Sequence, residues 1–163
     1  MIELLQYPED KKELYLLLRE QLQAMTEGVP HWLANLANTS ALLNQALREI
    51  NWVGFYLMKD GQLVLGPFQG KPACIEIKVG RGVCGTAVER DEVTVVPDVH
   101  AFPGHIACDA ASRSEIVLPI HAHGKVIGVL DIDSPVPGRF TEEDKKGLEE
   151  IVKIVEDLMS DVY

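Results

Sequence analysis

Cysteine is scarce in this sequence: three residues in 163, Cys74, Cys84 and Cys108. So small and odd a set excludes the disulfide framework that staples small secreted domains. Positive charge is also short, with 15 Lys and Arg against 25 Asp and Glu and a net charge of −10. Such a balance excludes duplex nucleic acid as a partner, because phosphate binding needs a basic surface, and argues equally against anionic membranes. No apolar run approaches the ~20 residues needed to span a bilayer. The opening MIELLQYPEDKKEL has no basic start followed by an apolar stretch, so no signal peptide is expected. These absences predict a cytoplasmic protein without membrane or nucleic-acid partners.

What is present suits one packed domain spanning residues 1–163, since 47% of the chain is hydrophobic. Residues 9–26 have helical spacing, with Leu14, Leu17, Leu18, Leu22 and Met25 on one face. Gly28 and Pro30 end that helix, and a second runs from about 31 to 50 with a stripe of Leu33, Leu36, Ala37, Leu43 and Leu47. The period then changes. Strands are expected at 52–58, 62–68, 73–79, 93–96, 115–122 and 125–133, with tight turns at Lys59-Asp60-Gly61 and His123-Gly124. Thr141 caps a final helix whose first turn carries Glu142, Glu143 and Asp144, complementing the helix dipole. Hairpin-linked strands imply an antiparallel sheet, and helices at both ends of the sequence can cover one face, an α+β arrangement. The stretch 97–114 is long for a connection, and loops of that length are usually functional or disordered; it contains Cys108.

Several patterns carry possible chemistry. Gly80-Arg81-Gly82-Val83-Cys84-Gly85 fits the dinucleotide fingerprint, but that motif needs a parallel βαβ unit, which the antiparallel strands exclude. The glycines provide either a plain turn or a helix start able to hold a carboxylate. His100, His105 and Cys108 match no compact zinc spacing and read as loop residues near the surface. Asp131 and Asp133 share a face of the last strand, and the hairpin brings Glu115 across from them, so three carboxyls converge at one end of the sheet. Trp52 and Tyr56 also share a face, either as core or as an aromatic wall.

Taken together, VGRGVCGTAV, DVHAFPGHIACDAASRSEIVLPI, IGVLDIDS and RFTEEDKKGL resemble the free methionine-(R)-sulfoxide reductases, enzymes built on a GAF domain; the likeness runs from about Asn51 to Leu148. It implies a six-stranded antiparallel sheet with packed helices and a homodimer. It implies that Cys108 is the catalytic cysteine and that Cys84 and Cys74 form disulfides with it. It places Glu115, Asp131 and Asp133 around the substrate and Trp52 and Tyr56 along the pocket. The implied reaction proceeds through a sulfenic acid and an intramolecular disulfide recycled by thioredoxin, with no metal or organic cofactor. A non-catalytic GAF sensor of small molecules or of redox state is the alternative. Between the two further thiols, Cys84 is expected to resolve the sulfenic acid, because a helix start lowers thiol pKa. Cys74 is expected to open a strand and to face away from Ile75, Ile77 and Val79.

Overall fold

The computed structural model describes residues 6–105 and 109–163. Its elements are α1 (Lys11–Thr26), α2 (Trp32–Ala46), β1 (Trp52–Lys59), β2 (Gln62–Gly70), β3 (Glu76–Lys78), α3 (Gly82–Arg90), β4 (Thr94–Val96), a short 3-10 turn (Val99–Ala101), β5 (Ser114–Ala122), β6 (Lys125–Ser134) and α4 (Glu142–Met159). The strands form one six-stranded sheet in the order β3-β2-β1-β6-β5-β4, antiparallel at every pairing. Both predicted hairpin turns are present. Asp60-Gly61 and His123-Gly124 each put two consecutive residues at positive φ, which matches the twist of the flanking strands.

Alternation along the strands divides the interior into two layers. Val53, Phe55, Ile116, Leu118, Ile120, Leu130 and Ile132 face α1, α2 and α4 and form the larger core. Trp52, Tyr56, Val117 and Val129 face the other way and form a second core under α3 with Val83, Cys84 and Ala87. The helices from the two ends of the sequence, α1, α2 and α4, cover one face as expected; α3 covers the other.

Three expectations need correction. The second helix ends at Ala46 rather than near Ile50. Its buried face is also turned from the predicted stripe. Asn35, Thr39 and Ser40 are buried, whereas Leu33 is 55% exposed. Buried hydroxyls are affordable there because Thr39 donates to the Asn35 carbonyl at 2.7 Å and Ser40 to those of Leu36 and Pro67 at 3.0 and 3.2 Å. The third strand is only Glu76–Lys78, since it pairs with β2 over Gln62–Val64 alone. Cys74 therefore precedes it, and the alternation argument for its orientation fails: Ile75 and Val79 are exposed, while Cys74 packs against the second core.

Candidate active site

The hairpin register builds the site. Glu115 on β5 lies opposite Asp133 on β6, and Trp52 on β1 flanks Asp133 from the other side. Asp131 stands between Val117 and Gly54. A side chain at Gly54 would lie 2.2 Å from Phe68 Cβ, so only glycine fits the crossing of β1 and β2 beside Asp131. Trp52 stacks on Tyr56 and on Phe68 with ring centroids 5.8 and 5.1 Å apart, making an aromatic wall. The wall is fixed by two hydrogen bonds: Trp52 Nε1 donates to the Lys71 carbonyl at 3.2 Å and the Tyr56 hydroxyl to the Cys74 carbonyl at 2.9 Å.

Between the wall, the carboxyls and the start of α3 lies a cavity of about 50 Å³. Glu115, Asp131, Asp133, Cys84, Trp52 and Tyr56 all line it. So do Arg81, Gly82 and Val83 at the beginning of α3. Cys108 lies outside the described residues.

The carboxyls are unusual in their company. Glu115 and Asp131 are each 5% exposed, and Asp133 retains some exposure. Among the described residues, no lysine or arginine pairs with any of them. Burial raises the pKa of all three. For Glu115 and Asp133 the neighbouring carboxylates push it further, and both stand well above the usual carboxylate range. Asp131 rises less, because hydrogen bonds from Glu115 and Cys84 favour its charged form. Its Oδ1 is nevertheless buried without a hydrogen-bond partner among the described residues.

The helix-dipole argument for Cys84 fails. Burial, then Asp131, Glu115 and Asp133, hold its thiol well above the ordinary value, and it is a buried free cysteine. Desolvation and three nearby acids outweigh a short helix's partial charge. Cys74, half-buried against the second core, is disulfide-bonded.

Three further lining residues, His105, Asp109 and Ser112, and Asn51 behind them had no assigned part. His105, read from the sequence as a surface residue, has a side chain only 15% exposed, with Nε2 3.9 Å from Glu115 Oε1. Its pKa is lowered by burial and by His100, which keeps the imidazole neutral at neutral pH. Asp109 is held by Asn51 Nδ2 at 2.9 Å and the Ala111 backbone N–H at 2.9 Å, and these bonds lower its pKa. Asn51 Nδ2 also donates to Ser112 Oγ at 3.0 Å. Asn51 opens the chain segment beside Trp52, and Asp109 follows Cys108, so adjacency to predicted site residues was the available signal. Among the described residues, the one group whose ligand atoms can meet at a metal ion is Cys84, Glu115 and Asp131.

A family model described as GAF domain matches residues 18–157. The free methionine-R-sulfoxide reductase of Escherichia coli (strain K12) is 58% identical over 151 residues, covering 93% of this chain and 92% of its own. The structure of fRMsr of Staphylococcus aureus in its reduced form aligns at TM-score 0.87 and 56% identity, over 89% of this chain and 94% of that one. The free methionine-R-sulfoxide reductase of Neisseria meningitidis, solved in complex with its substrate, aligns at TM-score 0.90 and 46% identity, over 94% and 93%. The chain belongs to the free methionine-R-sulfoxide reductases, within the GAF-domain family.

Proposed function

We propose that the protein reduces free L-methionine-(R)-sulfoxide to L-methionine, with Cys108 as the nucleophile. The observation that carries this reading is the convergence of three buried, mutually repelling carboxyls on a small pocket with an aromatic wall. The Escherichia coli and Neisseria meningitidis relatives bear the activity in their names.

The chemistry needs this company. The sulfur of Cys108 attacks the sulfoxide sulfur while a proton is delivered to the sulfoxide oxygen. Glu115 or Asp133 supplies it, since burial and the neighbouring carboxylates favour the protonated form of each. The oxygen passes to Cys108 as a sulfenic acid and methionine leaves as the thioether. A second thiol then condenses with the sulfenic acid, forming the S–S bond and releasing the oxygen as water. We assign that step to Cys74 rather than to the buried Cys84. Thioredoxin supplies two electrons and two protons to restore both thiols.

Recognition follows from charge. Asp131 Oδ1, buried and without a partner among the described residues, accepts from the substrate ammonium. The first N–H groups of α3, at Gly82 and Val83, take its carboxylate. A pocket that binds both charged ends excludes peptide-bound sulfoxide. A cytoplasmic location and a homodimer belong to the same proposal.

The test is NADPH consumption with thioredoxin, its reductase and the free sulfoxide. Sustained turnover is expected on the R epimer, with little on the S epimer. Cys108→Ser should abolish release of methionine even in a single turnover, which Cys74→Ser should spare. Equal rates on an N-acetylated, amidated substrate would remove the argument from charged ends, and single-turnover activity in Cys108→Ser would remove the nucleophile.

A further inference from the structure

We propose that Cys84, Glu115 and Asp131 form a zinc-binding site whose occupation closes the pocket to substrate. The binding itself stands apart from the reductase reading; only the competition with substrate rests on it.

The three side chains come from α3, β5 and β6, so each is placed by a regular element rather than a loop. One ligand atom from each lies within 4.8 Å of the others. A tetrahedral zinc ion with bonds of ~2.0–2.3 Å holds its ligand atoms roughly 3.5 Å apart. The observed set therefore needs a contraction of little more than about an ångström per pair, within reach of small side-chain torsions. Asp131 Oδ1 is a second observation that points to a ligand. It is buried and has no hydrogen-bond partner among the described residues, on a residue 5% exposed that lines the cavity. Buried acceptors are rarely left so, and each such group asks for an ion, water or ligand.

Donor chemistry selects the ion. A thiolate beside two carboxylates suits zinc, whereas magnesium and calcium take oxygen ligands alone. Charge agrees: these acids have no lysine or arginine partner among the described residues, and a divalent cation supplies what the protein does not. Three protein ligands leave a fourth position, the arrangement of an open zinc site. That position faces the cavity, where the substrate ammonium would otherwise meet Asp131. Zinc and free methionine sulfoxide thus exclude one another, and excess zinc silences the enzyme without oxidising it.

The experiment uses the full chain, reduced and anaerobic, titrated with Co²⁺ as a spectroscopic stand-in and then with Zn²⁺. A double variant, Cys74→Ser with Cys108→Ser, leaves Cys84 as the sole thiol and cannot turn over. We expect one equivalent of Co²⁺, a sulfur-to-cobalt charge-transfer band, tetrahedral ligand-field bands, and displacement of both by Zn²⁺. Adding Cys84→Ser should abolish the charge-transfer band, and Asp131→Asn should weaken binding at least about tenfold. Free methionine sulfoxide should raise the apparent Kd for Co²⁺ in the double variant. No charge-transfer band in that variant, or a band that survives Cys84→Ser, overturns the site. A band that substrate does not shift overturns the competition alone. Failure of the reductase reading would show separately, as an intact cobalt spectrum with no turnover by the wild-type protein.

Discussion

Each face of the sheet buries acid, and the two do so in opposite ways. On the three-helix face, Asp144 is 1% exposed but fully partnered. It accepts from Lys11 Nζ at 2.6 Å, the Tyr15 hydroxyl at 2.8 Å, the Thr141 backbone N–H at 2.8 Å and Arg139 Nη1 at 3.3 Å. Burial pulls its pKa up, yet these partners hold it below the usual value. On the α3 face, Glu115, Asp131 and Asp133 have one another instead of a cation, and their pKa values rise. Burial is common to both sites, so the partner decides the sign. The first site ties α1 to α4; the second holds protons of the kind the proposed reaction needs.

The largest effects should come from removing proton donors on the α3 face. Glu115→Gln or Asp133→Asn is expected to lower kcat/KM by ~10²–10⁴-fold, the usual range for a general acid. Neither should lower the melting temperature, because an amide replaces a carboxyl whose ionisation burial and acidic neighbours penalise. The readouts are steady-state kinetics and thermal denaturation on the same preparations. A large drop in melting temperature alongside lost activity would make the cluster structural and erase the contrast.

Asp144→Asn should do the reverse. Breaking a buried, hydrogen-bonded ion pair costs about 3 kcal/mol, because Lys11 and Arg139 lose their counterion. Urea denaturation measures it, and the folded fraction should retain wild-type kcat/KM. Unchanged stability would mean that this cluster is no better than a surface pair.

Acid titration separates the faces by sign. Asp144 has a depressed folded pKa, so its contribution is present above the unfolded value of 3.8 and is lost as pH falls through the folded one. The three α3-face carboxyls have raised folded values. There the folded state binds more protons, and stability falls as pH rises above their ordinary values of 3.8 to 4.5 toward the folded ones. In the Glu115→Gln, Asp133→Asn double variant the loss toward neutral pH should shrink, while the acid limb governed by Asp144 stays. A double variant with the wild-type slope would show that these carboxyls are not raised.

The α3-face cluster was legible from strand alternation and one hairpin turn, because period and register alone bring Glu115 opposite Asp133. Trp52 and Tyr56 followed from the same alternation. Asp144, by contrast, was visible only as a dipole-complementing residue of a first turn; its long-range partners Lys11 and Tyr15 are more than a hundred residues away, and no local pattern announces them. The reading of Cys84 erred for a related reason. A helix start is local and readable, but desolvation and converging acids are tertiary, and they win. His105 was misplaced likewise, since nothing in a loop's sequence shows that it folds over a pocket.

The smallest effect should lie where the two faces meet. His121, near the end of β5, puts Nε2 2.5 Å from Asp91, which ends α3, and Nδ1 3.0 Å from Glu156 of α4. Its backbone N–H also donates to Glu156 at 2.6 Å. Partial burial disfavours the charged ring, but Asp91 and then Glu156 outweigh it, so the pKa rises above 6.5. A raised basic group stabilises fully below its unfolded pKa, and that stability is lost as pH rises through the folded value. The His121 ring is 39% exposed and Asp91 53%, so solvent screening limits the contribution to about 0–1 kcal/mol. Thermal denaturation of the wild type and His121→Gln at about pH 6 and about pH 9 brackets the transition. The wild type should lose a degree or a few between them relative to the variant, about what that energy is worth in a domain of this size. An equal response in both proteins would leave α3 and α4 coupled through the sheet alone, and the two faces would then be independent in charge as well as in packing.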